Sequence, residues 1–107
     1  MIMVTTNDCP GREIEEVLGM VRGNTTRARH VGRDVLAKMR GIVGGEIEEY
    51  TKLMAESREQ ALDRMMEEAR LRGADAVIGI RFATSQIMLS ASEILVYGTA
   101  VKLKPQA

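Results

Sequence analysis

Residues 61–82, ALDRMMEEARLRGADAVIGIRF, contain the point at which the chain changes from helix to strand. Up to Arg72 the apolar residues recur every three to four positions, which is the periodicity of one helix face. Gly73 then supplies a helix stop, and from Ala76 onward apolar residues recur at every second position. This stretch predicts an α+β protein in which a long helix precedes strands.

The long helix is predicted to begin at Glu46, because no Gly or Pro occurs between there and Gly73. Its apolar stripe consists of Ile47, Tyr50, Met54, Ala61, Met65 and Ala69. At 1.5 Å per residue, residues 46–72 span about 40 Å. A compact domain of this length has a diameter of only roughly 34 Å. Part of the stripe should therefore pack on another chain, and we expect an oligomer.

The N-terminal segments are less uniform. Residues 2–6 are predicted as a short strand and residues 7–11 as the turn after it. Residues 13–21 fit either one helical face or a strand buried on both sides, and periodicity slightly favours the helix. Residues 23–26 are interpreted as a break, and the apolar spacing after it predicts a short amphipathic helix over residues 31–42.

The C-terminal third is predicted to be strand. Apolar residues alternate over 76–82 and again over 94–101. Residues 83–92 connect the two runs, with an extension of the first strand through residues 87–89 as an alternative. Both faces are mostly apolar, so they should be covered on both sides or by a neighbouring chain. Because the sequence contains no linker or internal repeat, residues 1–107 are predicted to form one domain.

Composition excludes several classes of protein. The 107 residues include 15 basic and 15 acidic side chains, so net charge alone cannot drive binding to nucleic acid. With one Phe, two Tyr and no Trp, base stacking is also limited, and nucleic acid is a disfavoured partner. No apolar run is long enough for a membrane span, and no signal pattern is present. A single Cys fits a reducing compartment, so we expect a cytoplasmic protein with no membrane partner.

The charge is segregated along the chain. Residues 22–40 contain six basic residues and one acid, whereas residues 41–75 contain nine acids and five bases. Four candidate anion ligands precede or open the predicted short helix: Arg27, Arg29, His30 and Arg33. Helix N–H groups point outward there, which favours binding of an anion or another small ligand. The alternative is that these side chains pair with the acidic helix of the same or the next subunit.

A metal site is the competing hypothesis. Its candidate ligands are Cys9 and His30, which are too few for a zinc motif within one chain. Copies of them from several subunits could share an ion, so a metal ion is possible although the sequence requires no cofactor. The alternative for Cys9 is a small residue in a Pro-Gly turn, and for the eight Met residues it is core packing.

No catalytic signature is present. The chain lacks a GxSxG, a Walker loop and a GxGxxG motif, and the His30/Asp34 pair at i,i+4 is too common to indicate a mechanism. We predict that the protein is not an enzyme. Arg58 and Arg81 interrupt apolar patterns and are predicted to form ion pairs, for instance with Glu93.

Several segments together resemble the YbjQ-like family from end to end. They include LGMVRG (18–23), RARHVGRD (27–34), GADAVIGIRF (73–82) and EILVYGTAV (93–101). The resemblance implies a ββααββ subunit with a mixed sheet of about four strands, one short helix and one long helix. It also implies a ring-like homopentamer assembled through strand addition, and it makes residues 13–21 a strand, which we adopt.

The resemblance implies no activity, because the family carries a heavy-metal-binding label without an established function. We therefore predict a homo-oligomeric binding or scaffold module with an anion or small-ligand site in residues 22–40. A heavy-metal-binding protein with ligands shared between subunits is the alternative.

Overall fold

The computed structural model describes residues 1–27, 48–88 and 91–106. In chain order these form β1 (Ile2–Met3), β2 (Ile14–Arg27), α1 (Glu48–Leu71), β3 (Ala76–Met88) and β4 (Ala91–Leu103). The strands build one sheet in the order β1-β3-β4-β2. β1 runs parallel to β3, and the other neighbours are antiparallel. The α+β class and the four-stranded mixed sheet are confirmed.

The described order is ββαββ rather than ββααββ. The short helix predicted over residues 31–42 lies outside the described residues. The long helix is confirmed as α1, and Gly73 follows it with a φ of 78°, a left-handed conformation that suits glycine at a helix C-terminus. No described helix is long and apolar enough to cross a membrane.

Residues 13–21 belong to a strand, as the family resemblance implied, and β2 continues without a break to Arg27. The predicted break at residues 23–26 was wrong. The hydroxyl of Thr25 donates to the carbonyl oxygen of Ser57 at 3.1 Å, so this polar residue is buried with its hydrogen bond satisfied.

Gly23 has a packing role within β2. A Cβ atom placed on it would collide with the backbone of Ala61 and Met65 in α1. The glycine therefore allows the helix backbone to approach the strand closely, and it does not mark a turn.

Both faces of the sheet are covered near β1. On one face α1 packs against β2 and β4. The buried residues there are Val21, Ala61, Met65, Ala69, Val77, Ile80, Ile94, Val96 and Ala100. On the opposite face lies a smaller cluster, Cys9, Ala76, Ile78, Val101 and Leu103, with Val4 and Ile14 packed against it. The expected coverage of both faces is confirmed for this part of the sheet.

The molecule is elongated because β2, β3 and β4 extend past β1 and past the smaller cluster. Its principal extents are 58 × 24 × 16 Å and its radius of gyration is 17.3 Å. A compact chain of about 100 residues would have a radius of gyration of about 13 Å. We call residues 81–88 and 91–97 the distal ribbon. Residues 81–86 within it are all exposed, including Phe82 at 46%. The extension of the first C-terminal strand is confirmed as far as Met88.

Candidate functional site

Cys9, the first predicted metal ligand, is a buried free thiol that is only 4% exposed. It lies in the turn between β1 and β2, where its carbonyl oxygen accepts the N–H of Arg12 at 3.0 Å, and it packs among apolar side chains of β3 and β4. Within residues 1–27, 48–88 and 91–106, no three His, Cys, Asp or Glu residues are placed to hold a metal ion. In this arrangement Cys9 packs as a small apolar residue.

The predicted anion ligands lie mostly beyond the described chain. Arg27 is the last residue of β2, where its backbone is paired with Ser92. Arg29, His30 and Arg33 lie outside the described residues, so the grouping of the four stays a prediction.

Arg22, the first cation of the basic segment, lies in a row across three strands. The strand register places it beside Tyr97 of β4, and Tyr97 in turn beside Arg81 of β3. Their neighbours Val21 and Val96 are buried against α1, so alternation places this Arg–Tyr–Arg row on the opposite face of the sheet. All three residues are exposed, Tyr97 at 37%.

The two arginines of the row have no ion-pair partner among the described residues. The guanidinium of Arg81 donates through Nη1 to the carbonyl oxygens of Thr5 and Ile80, each at 2.8 Å. The predicted Arg81–Glu93 ion pair does not form within one subunit, where the carboxylate of Glu93 accepts a hydrogen bond from the Asn24 side chain at 3.0 Å. An ion pair of Arg81 across a subunit interface stays a prediction. Sequence reasoning missed the row because only strand register places its members side by side.

The outer edge of β2 is covered by side chains of α1. The contacts are Arg72 Nη1 to the Met20 carbonyl oxygen at 3.0 Å, the Arg22 N–H to Glu68 Oε2 at 3.2 Å, and Arg64 Nη1 to the Asn24 carbonyl oxygen at 2.5 Å. We call residues 20–24 the covered edge. The covering residues are four apart along the helix, a spacing that places them on one helix face. That spacing was the only sequence signal for this contact.

The outer edge of β3 differs along its length. Near β1 it is paired, and the last such contact is the N–H of Ile80 donating to the carbonyl oxygen of Val4 at 3.1 Å. Beyond that point, within the described part of the chain, residues 81–88 pair with β4 alone. We call these residues the open edge. An unpaired edge of this length is a template for another strand.

Two shallow concavities lie elsewhere. One of about 580 Å³ is lined by Arg12, Glu13 and Lys104, among others, and one of about 500 Å³ lies beside Glu67 and Arg70. Their charges are paired internally, Lys104 with Glu13 at 3.2 Å and Arg70 with Glu67 at 2.6 Å. The hydrogen bond from Arg70 lowers the pKa of Glu67, and the same contact raises the pKa of Arg70. Neither concavity contains a predicted site residue.

Known proteins of similar sequence match nearly the whole length of this chain. The chain is 56% identical over 104 residues to a UPF0145 protein of Archaeoglobus fulgidus, covering 97% of this chain and 96% of that one. It is also 56% identical over 106 residues to a UPF0145 protein of Methanoculleus marisnigri, covering 99% of each.

A solved structure has the same fold. It is a protein of unknown function of the DUF74 family from Pediococcus pentosaceus, with a TM-score of 0.68 and 13% identity, covering 97% of this chain and 98% of that one. The YbjQ family model, described as "Putative heavy-metal-binding", matches residues 1–104. This chain therefore belongs to the YbjQ family.

Proposed function

We propose that this protein is a cytoplasmic, homo-oligomeric binding or scaffold module, with the five-membered ring that the family resemblance implies. Its subunits would associate through strand addition, and its basic segment, residues 22–40, would bind an anion or small ligand. The observation that carries the proposal is the open edge of β3, which continues past the part of the sheet that β1 pairs.

The exposed apolar surface supports association. Val17 is 64% exposed and Met20 58% exposed, and Phe82 on the distal ribbon is also exposed. Residues 81–86 of the distal ribbon are exposed, and burying their apolar surface against a second copy would gain roughly 25 cal/mol per Å². Since three backbone groups of the covered edge of β2 are already bonded to Arg64, Glu68 and Arg72, we expect an incoming strand to pair with the open edge.

The test of assembly is native mass spectrometry of the protein as purified. The expected species has about five times the subunit mass of 11.8 kDa. A monomer at micromolar concentration would overturn the proposal, and a different closed ring would retain assembly while correcting the subunit number. Light scattering on a size-exclusion column supplies the independent mass.

The ligand part of the proposal is tested by thermal unfolding with and without inorganic phosphate. A ligand present at 100 times its Kd stabilises the native state by about 2.7 kcal/mol. We expect phosphate to raise the melting temperature of the wild type, and substitution of Arg27, Arg29 and Arg33 by Gln to remove that increase. The heavy-metal label of the family supports the alternative, which the burial of Cys9 disfavours. Stabilisation by a metal ion that a chelator reverses would favour the alternative.

A further inference from the structure

We infer that the Arg–Tyr–Arg row is a binding site for a small ligand that joins a planar ring to a phosphate group, as a mononucleotide does. The site consists of Arg22, Tyr97 and Arg81 on the sheet face opposite α1. It shares no residue with the anion ligands Arg27, Arg29, His30 and Arg33, and Arg81 is also the first residue of the open edge of β3.

The spacing of the row suits such a ligand. Neighbouring strands lie about 4.8 Å apart, so an arginine stands at that distance on either side of Tyr97. Directly opposed side chains in a sheet are within reach of one another. The guanidinium of Arg22, on a flexible stem, can therefore bind phosphate oxygens beside the ring in the paired geometry that arginine favours. The guanidinium of Arg81 is held by the carbonyl oxygens of Thr5 and Ile80 at the outer edge of β3, where it adds positive charge at the far end of the row.

The electrostatics of the row are unusual for this molecule. Arg70 and Arg72 are neutralised by Glu67 and Glu68, whereas Arg22 and Arg81 form no ion pair with the described residues. The bonds from Nη1 of Arg81 to two carbonyl oxygens hold its guanidinium in place and leave its other nitrogen atoms available. A held guanidinium without a carboxylate partner is a ready anion ligand.

The neighbouring positions on this face keep negative charge away from the arginines. The flanking register positions hold Met20 and Thr99 on one side, and Asn24, Leu95 and Ala83 on the other. Glu93 lies one step further along the face, with its carboxylate held by the amide of Asn24. The register positions that flank the row hold no acidic residue, and the nearest carboxylates are already bonded, Glu93 to Asn24 and Glu68 to Arg72 and the backbone N–H of Arg22.

Tyr97 supplies the surface for the ring of the ligand. Tyr97 is 37% exposed, and Met20, which is 58% exposed, occupies the diagonal register position on the same face. A base stacked on an aromatic side chain gains about 1–3 kcal/mol. A single aromatic residue provides one stacking position, which fits a mononucleotide better than a nucleic acid strand.

The test is isothermal titration of the purified oligomer with adenosine 5′-monophosphate, adenosine and inorganic phosphate. We expect the monophosphate to bind more tightly than either of its parts. Arg22→Gln should raise its Kd about tenfold or more, because a charge-assisted hydrogen bond is lost. Tyr97→Leu should weaken binding of the monophosphate but leave binding of phosphate unchanged, whereas Tyr97→Phe should retain binding of both ligands.

Arg58→Gln is the matched control, since Arg58 is equally exposed but lies on α1. Among the described residues only the backbone N–H of Arg22 is bonded, so Arg22→Gln tests the site even if Arg81→Gln loosens the turn at Thr5. The inference is overturned if no monophosphate binding is detected at millimolar concentration, if adenosine alone binds as well, or if Arg22→Gln and Arg58→Gln behave alike. Unchanged mass of each variant on size exclusion separates these results from a failure of assembly.

Discussion

The two long outer edges of this sheet differ in whether their backbone groups are bonded. The edge of β2 lies beneath α1, whose Arg64, Glu68 and Arg72 bond the backbone groups of residues 20–24. The edge of β3 over residues 81–88 has no such cover within the described chain. An edge that offers unpaired N–H and carbonyl groups invites another strand, and an edge whose groups are already bonded does not. The difference makes the edge of β3 the preferred edge for adding another strand.

The largest effect on this comparison should come from Gly23, because its missing side chain lets α1 lie close enough to cover β2. Gly23→Ala places a Cβ against the helix backbone and should destabilise the protein by about 3 kcal/mol, as overpacking does in tight cores. The measurement is urea unfolding followed by circular dichroism. Thr26→Ala, at an exposed position of the same strand, is the control and should change stability little. Equal stability of the two variants would show that the helix is not held this closely.

The next effect concerns the open edge. Backbone groups alternate along a strand, and the N–H of Ile80 points outward to Val4, so the N–H of Thr84 also points outward. Thr84→Pro removes that donor without removing a bond to β4. If subunits associate through this edge as proposed, the substitution should convert the oligomer to smaller species. Thr84→Val keeps the N–H and should assemble as the wild type does. Native mass spectrometry of both variants measures the size of the assembled species. An oligomer of unchanged mass in Thr84→Pro would show that the subunits associate through another surface.

A smaller effect is expected from removing part of the cover on β2. Glu68→Ala leaves the N–H of Arg22 and the guanidinium of Arg72 without their acceptor. The substitution should therefore lower the free energy of unfolding by about 1 kcal/mol. Glu59→Ala, an exposed position on the same helix, is the matched control. Chemical denaturation measures the difference. If the cover also prevents pairing, Glu68→Ala should show additional, larger species on size exclusion that Glu59→Ala does not show.

The smallest effect belongs to the Glu67–Arg70 pair, which is exposed and plays no part in covering the edge. Because Arg70 lowers the pKa of Glu67 from 4.5, the pair contributes stability above that pH and loses it as the pH falls through the lowered pKa. The stability difference between wild type and Glu67→Gln should therefore be present at neutral pH and vanish in acid. Thermal unfolding across this range measures it, and high salt should reduce it. A difference that grows in acid would contradict the sign of the shift.

The sequence by itself determined the elements whose signal is local. The apolar period of three to four residues and the stop at Gly73 predicted α1, and alternation predicted β4 and the start of β3. These signals are sufficient because a helix and a strand each impose their own period on the buried side chains. For residues 13–21 the strand was predicted from the family resemblance and not from periodicity.

Only the tertiary structure decided what distant residues do together. Gly23 was interpreted as part of a break because the sequence cannot show a helix packed on it, and the cover on β2 requires α1 to lie along that strand. The placement of Arg22 and Arg81 beside Tyr97 follows from strand register, which is shifted at irregularities in both β2–β4 and β3–β4. A shift of one residue turns a side chain to the opposite face, so such a site is decided by pairing between strands and not by the order of residues within one.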